Sequence, residues 1–271
     1  MPMADERLAK LGDSGPDVAD WRVVLADAGY ALDGAQDAFT KSVHNATVAW
    51  QRARGLRPDG ILGPKSRGFA GSHGFARPPA RFDPNAIPYV EAQNWSRTIG
   101  AQRKDLIVLH CMEVADASTT AEWCAGYFAG RHGPAPNASA HFCVDDDSVI
   151  CCVPHDRVAW HAPGANHNGI GIEHAGYARN TRAQWLDDFS LRMLGLSAEL
   201  AAWLMLEHEI PLTFVVADHI KVGGRGITTH EQVSRAFGKS THWDPGPHFP
   251  IGDYLRMVAD AQARDRRQGS G

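Results

Sequence analysis

Near the start of the chain, apolar residues recur at helical spacing. Val18, Trp21, Val24 and Leu25 share one face after the start signal Gly15-Pro16-Asp17, and Gly29 closes the segment. A second amphipathic helix is predicted from about Asp37 to Arg54, with Phe39, Val43, Ala46, Ala49 and Trp50 turned one way. In RGLRPDGILGPKSRG, Pro58-Asp59-Gly60 is a turn, Ile61 and Leu62 return to a core, and Gly63-Pro64 opens a last short helix. Residues 1–72 thus read as a small three-helix domain. Prolines at 78, 79, 84 and 88 mark residues 73–95 as a Pro-rich linker or a surface-wrapping arm.

From residue 96 to 271 the pattern changes. Leu106 to Leu109 form a short apolar run ending at His110, the pattern of a buried strand. Ala140 to Val144 and Val149 to Val153 flank the turn Asp145-Asp146-Asp147-Ser148, which predicts a hairpin. Gly169-Ile170-Gly171-Ile172-Glu173 is another short strand. Helical periodicity returns from Leu186 to Glu209, ended by Pro211, and again from about Gly252 to Ala263. Strands and helices intermingle, so the predicted class is α/β, with a mixed central β-sheet flanked by helices.

Composition narrows the function classes. The chain has 271 residues, 44% hydrophobic and 21% charged, the profile of an ordinary globular protein. With a net charge of -4, nothing argues for nucleic acid or an anionic membrane as the main partner, and neither is expected. No uninterrupted apolar run approaches the roughly 18 residues that span a bilayer. The first residues, MPMADERLAKLGDSG, lack the apolar core of a signal peptide, so the expectation is a product made in the cytoplasm. Five cysteines without C-x-x-C spacing read as small buried hydrophobes rather than a disulfide framework or an all-cysteine zinc site. Histidine is abundant, at 14, and most of it follows position 100.

Four residues stand out as candidate chemistry. His110 ends one strand, Glu173 ends another, and His230 lies in a polar turn after a glycine-rich loop. Asp244 sits in STHWDPGPHFP, where three prolines enforce a stiff loop. Two imidazoles and a carboxylate on separate elements make a three-ligand zinc set with a fourth position open for water. Each residue alone also fits a plainer role: a hydrogen-bonded core histidine, a capping glutamate, a turn-starting Asp-Pro.

Two resemblances sharpen this. Gly12 to Val18, Trp50-Gln51, and Gly55-Leu56-Arg57-Pro58-Asp59-Gly60-Ile61-Leu62-Gly63-Pro64 resemble the peptidoglycan-binding domain of the three-helix type, with a longer spacing from Asp33-Gly34 to Phe39. From about Asp105 to Phe249 the chain resembles the zinc-dependent N-acetylmuramoyl-L-alanine amidases, a group that includes peptidoglycan recognition proteins. The residues carrying this are Ile107-Val108-Leu109-His110, Ala138-Ser139-Ala140-His141-Phe142, Ala159-Trp160-His161-Ala162, Asn168 to Glu173, Thr229-His230 and Asp244-Pro245-Gly246-Pro247. The resemblance implies zinc ligands His110, His230 and Asp244, with Glu173 as general base. It implies substrate-binding positions at Trp160, His161 and Asn168. Relatives carry lysine two positions before the third ligand, where this chain has His242; that places His242 as donor to the oxyanion, with Lys239 as the alternative. His141 reads as a core or second-layer residue, His248 as a shaper of the loop exit, and Cys111 as facing away from His110.

The implied activity is hydrolysis of the amide between N-acetylmuramic acid and the L-alanine of the stem peptide. A non-catalytic recognition protein is the alternative, disfavoured because all three ligands are present. A zinc protease of another fold is disfavoured by the lack of H-E-x-x-H. A wall substrate and no visible export signal point to a phage endolysin, ahead of an injected effector or a recycling enzyme. The expected partner is peptidoglycan, and the expected state is a monomer.

Overall fold

The computed structural model describes residues 9–53, 56–63, 66, 83–98 and 103–268. The chain divides into two compact units, 1–78 and 79–271.

In the first unit, α1 (Pro16–Asp27) and α2 (Lys41–Ala53) pack through Val18, Trp21, Leu25, Val43 and Trp50, with Phe39 and Leu62 closing the core. The Trp21 indole meets Trp50 edge-on at 4.9 Å and donates to Thr47 Oγ1 at 2.8 Å, so its one polar atom is satisfied inside. α2 starts four residues later than its apolar spacing predicts. Asp37 and Phe39 are held by backbone bonds to Gly15, Asp13 and Gly12, which keeps that stretch extended. Gln51 pins the Pro58-Asp59-Gly60 turn: its Oε1 accepts from Gly60 N at 2.9 Å, and its Nε2 donates to Ile61 O at 3.0 Å. The helix expected after Gly63-Pro64 falls outside the described residues, apart from Ser66.

The second unit holds a five-stranded sheet in the order β4-β3-β6-β2-β7. Its strands are β2 (Leu106–Cys111), β3 (Phe142–Val144), β4 (Val149–Cys151), β6 (Gly169–His174) and β7 (Gly226–Thr229). Only the β3–β4 hairpin is antiparallel. A short pair, β1 (Trp95–Ser96) with β5 (Val158–Ala159), stands apart. Residues 90–93 bond along Cys151, Cys152 and Phe128. The stretch assigned to a linker over 73–95 is therefore, from its last residues, part of the second unit; residues 73–82 are outside the described set. Its prolines remove donors without preventing these edge contacts.

Side-chain alternation gives the sheet two different faces. Ile107, Leu109 and Cys111 of β2 and Ile170 and Ile172 of β6 enter one apolar cluster, packed against α4 (Asp188–Glu207) and α7 (Ile251–Gln268). α4 is long and apolar enough to cross a membrane by length and composition, but its apolar positions fill this core. On the other face, Leu106 and Val108 pack with Ala162, Ala165, Val215 and Ile220. Val233 of α6 (His230–Phe237) joins them. The helix α3 (Thr120–Phe128) packs beside the hairpin, and a short α5 (Ala217–Lys221) precedes β7. In register, Leu106 faces Gly169, Val108 faces Gly171 and His110 faces Glu173. The second face thus carries apolar residues at its start and ionisable ones where the parallel strands end.

Two histidines in this unit are fully buried. Burial holds His174 down at about 4 and His141 well below its ordinary range. Both stay neutral in the folded chain while the unfolded chain takes up protons below 6.5, so stability present above that pH is lost as pH falls toward 4. His174 alone contributes about 3 kcal/mol to this loss. Urea unfolding at pH 7 and pH 4.5 measures it, and His174→Gln should flatten the dependence; an equal slope in the variant would contradict the assignment.

Candidate active site

Three side chains from separate elements meet at the strand ends. His110 is the fifth residue of β2, His230 opens α6 directly after β7, and Asp244 comes from the proline loop. Asp244 Oδ2 lies 3.1 Å from His110 Nδ1, and its Oδ1 lies 3.1 Å from His230 Nδ1. All three are buried, and their donor atoms fall within 4.8 Å of one another. His230 was expected in a polar turn, yet a strand ends and a helix begins there. Thr229 Oγ1 accepts from Gln232 N at 3.3 Å, an N-cap that fixes where His230 emerges.

Backbone contacts aim the carboxylate. Asp244 O accepts from Glu231 N at 3.1 Å, tying the loop to α6. The Asp244–Pro245 peptide is cis, and Gly246 follows with φ +93. A Cβ at Gly246 would come within 1.9 Å of Ala178 O, so only glycine lets the loop press against that backbone.

The charge states follow from the surroundings. Burial alone would raise the Asp244 carboxyl, but the bonds from His110 and His230 overturn this and hold it well below the usual carboxylate range. Burial lowers His110, against the pull of Asp244. An ionised carboxylate beside a neutral His110 satisfies both tendencies, and a divalent cation needs that carboxylate charge and an unprotonated ring nitrogen. The N, N, O donor set, buried and convergent, fits zinc.

Glu173 stands beside His110 in register, on the same face of the sheet. Burial, then the carboxylates of Asp244 and Glu113, push its carboxyl well above the ordinary value. Its Oε2 is buried and has no hydrogen-bond partner among the described residues. His242 lies at the rim, with its side chain 65% exposed; its ring stacks on His230 at 4.4 Å, and its Nδ1 is 3.4 Å from Asp244 Oδ1. Lys239 is exposed.

The residues assigned to substrate binding are placed differently. His161 is buried behind His110: its Nδ1 lies 2.9 Å from His110 Nε2 and its Nε2 3.4 Å from Gly169 O. With both nitrogens engaged inside the protein, it leaves the substrate wall and joins the support of the trio. Asn168 precedes β6, at the end opposite Glu173, where its side chain donates to Asp105 Oδ2 at 3.4 Å. Five residues of extended strand, about 17 Å, separate it from the level of Glu173. Trp160 is half-buried and donates its indole N–H to Ser96 Oγ at 2.8 Å. Asn166 was overlooked: its Oδ1 accepts from His161 N at 3.1 Å and Ala162 N at 2.6 Å. Glu113, also overlooked, accepts from Ala178 N at 2.7 Å and so braces the segment under Gly246.

A mixed sheet flanked by helices, with a His-His-Asp donor set and a buried carboxylate at its strand ends, defines a hydrolytic centre of the α/β class. Residues 100–247, more than half of the sequence, match the family model for N-acetylmuramoyl-L-alanine amidase, and the chain belongs to that family. Residues 14–67 match a putative peptidoglycan binding domain. N-acetylmuramoyl-L-alanine amidase A of Achromobacter lyticus is 24% identical over 180 residues, covering 62% of this chain and 90% of that protein. Protein Ami of Listeria monocytogenes is 28% identical over 152 residues, 55% of this chain but 15% of that protein. Among solved structures, the hydrolase AmiA of Staphylococcus aureus superimposes with a TM-score of 0.51 at 18% identity, covering 67% of this chain and 85% of that one. That likeness shows the shared fold.

Gly246→Ala tests how much the loop backbone matters. The clash and the positive φ should cost about 2 kcal/mol or more of stability, as read by urea unfolding of the variant beside the wild type. Unchanged stability would mean that the loop is not pressed against Ala178.

Proposed function

We propose that this peptidoglycan amidase cleaves the amide between the lactyl group of N-acetylmuramic acid and L-alanine, using zinc held by His110, His230 and Asp244. The convergence of two Nδ1 atoms on one ionised carboxylate at 3.1 Å carries this reading. Zinc held there supplies Lewis-acid activation of the attacking water and of the scissile carbonyl. Glu173 takes the proton from the attacking water and delivers it to the leaving nitrogen of L-alanine. Without a protein partner among the described residues, Oε2 is open to that water. Its raised proton affinity suits delivery, and positive charge at the trio, screening Asp244, suits the uptake step. His242, at the rim beside Asp244, donates to the developing oxyanion in place of a lysine.

The first unit would hold the enzyme on the wall while the second cuts, a pairing that supports host lysis by a phage endolysin. In that setting the protein is made in the cytoplasm and reaches the wall once the membrane is opened. A net charge of -4 suits a glycan and peptide partner rather than nucleic acid, and the proposed working state is a monomer.

Purified protein on isolated sacculi, with mass spectrometry of released fragments, tests the chemistry. Free stem peptides are expected, lost on chelation and restored by zinc, and Glu173→Ala should lower the rate by about 10²- to 10⁴-fold. Cleavage between sugars, or indifference to chelation, would sink this reading. Histidine changes charge within pH 5–8 and lysine does not. His242→Lys should accordingly keep its activity to higher pH than the wild type; identical pH profiles would remove His242 from the oxyanion role. Deleting residues 1–78 should weaken sacculus binding while sparing cleavage of small soluble muropeptides.

A further inference from the structure

A histidine can offer Nδ1 to a metal only if its other nitrogen carries the proton and that proton has an acceptor. The two histidines of the trio meet this requirement differently. His230 Nε2 lies 3.3 Å from Ser240 Oγ, a hydroxyl able to accept or donate, so it leaves the tautomer open. His110 Nε2 lies 2.9 Å from His161 Nδ1, and here the neighbours supply an acceptor. Gly169 O can only accept, so His161 Nε2, 3.4 Å away, carries the hydrogen. In neutral imidazole this leaves His161 Nδ1 bare. His161 Nδ1 is then the acceptor that lets His110 carry its proton on Nε2 and give Nδ1 to a metal; without metal the Asp244 carboxylate, which can only accept, competes for that proton 3.1 Å from Nδ1.

The place for His161 is built by its neighbours. A Cβ at Gly171 would lie 2.7 Å from His161 Cγ and Nδ1, and one at Gly169 would lie 3.3 Å from Cε1. The two glycines that alternate with Ile170 and Ile172 therefore clear the face on which the ring rests. Asn166 holds the His161 backbone from behind at 3.1 Å. His141 packs edge-on at 5.5 Å, and its own nitrogens are taken by Gly171 N and Arg157 O.

We propose that His161 is a positioning residue that accepts the Nε2 proton of His110 and so frees Nδ1 for the metal. This rests on the metal-site reading given above. The test uses the full chain as wild type, His161→Leu, which removes the acceptor, and His161→Gln, whose Oε1 restores one. Long-range ¹H–¹⁵N NMR of zinc-loaded protein should find the His110 Nε2 proton hydrogen-bonded, and so shifted downfield, in the wild type and His161→Gln but not in His161→Leu. Zinc affinity, measured by chelator competition, should fall about 10- to 100-fold in His161→Leu and recover in His161→Gln. Thermal melting of the metal-free variants checks that each is folded. An unchanged His110 Nε2 proton in zinc-loaded His161→Leu, or undiminished zinc affinity there, overturns the positioning role and leaves the amidase reading intact. A wild type that binds no zinc would overturn the metal-site reading instead, and the positioning role with it.

Discussion

One carboxylate shared by two imidazoles is the constraint around which the second unit is organised. Asp244 is buried, and a buried charge survives only with close partners. It has His110 and His230, each at 3.1 Å, and those residues come from chain segments far apart in sequence. Meeting the requirement fixes the relation between β2, the β7–α6 junction and the proline loop. The tie from Glu231 N to Asp244 O and the glycine pressed against Ala178 serve the same end. A loop free to move a couple of ångströms would strand the carboxylate without its partners.

The sheet register delivers the rest. Because side chains alternate, pairing Leu106 with Gly169 places His110 and Glu173 on one face with no further specification. A one-residue slip would send Glu173 into the apolar cluster with Ile107 and Leu109, and Ile172 into the site. The large core on the α4 and α7 side makes that slip costly, so burial on one face enforces chemistry on the other. The polar face is kept narrow, with apolar residues beginning one pleat below His110.

Much of this was legible in the sequence because it is local. Strand runs, the hairpin turn and the two long helices each declare themselves in a few adjacent residues, and the motif order placed His110, Glu173, His230 and Asp244 as candidates that the fold brings together. What was missed depends on through-space contact. His161 looked like a cleft residue because Trp-His-Ala carries no record of the glycine-cleared space behind His110. Asn168 looked close to the site because it neighbours Gly169 in sequence, although an extended strand carries Glu173 far from it. The α6 start was readable: Thr229-His230-Glu231-Gln232 has the spacing of a capping box, hidden by the glycines before it. In the structure only half of that box forms, since Gln232 Oε1 accepts from Ala217 N at 2.9 Å instead of from the cap.

The interior behind the trio is richer in imidazole than a stability argument alone would permit. His110, His141, His161 and His174 are all buried, and burial disfavours charge on each of them. Hydrogen bonds make the arrangement tolerable, since His174 bonds His110 O at 2.8 Å and Ser197 Oγ at 2.7 Å, and the latter reaches Tyr254 of α7 at 2.8 Å. The backbone of a trio residue is thereby linked through buried polar groups to two helices on the far side of the sheet. Neutral rings with assigned donors and acceptors cannot rotate without breaking a bond in the interior. Rigidity of this kind keeps two nitrogens and a carboxylate aimed at one point before anything binds there, and beside them on the same face Glu173 keeps a buried Oε2 without a partner among the described residues.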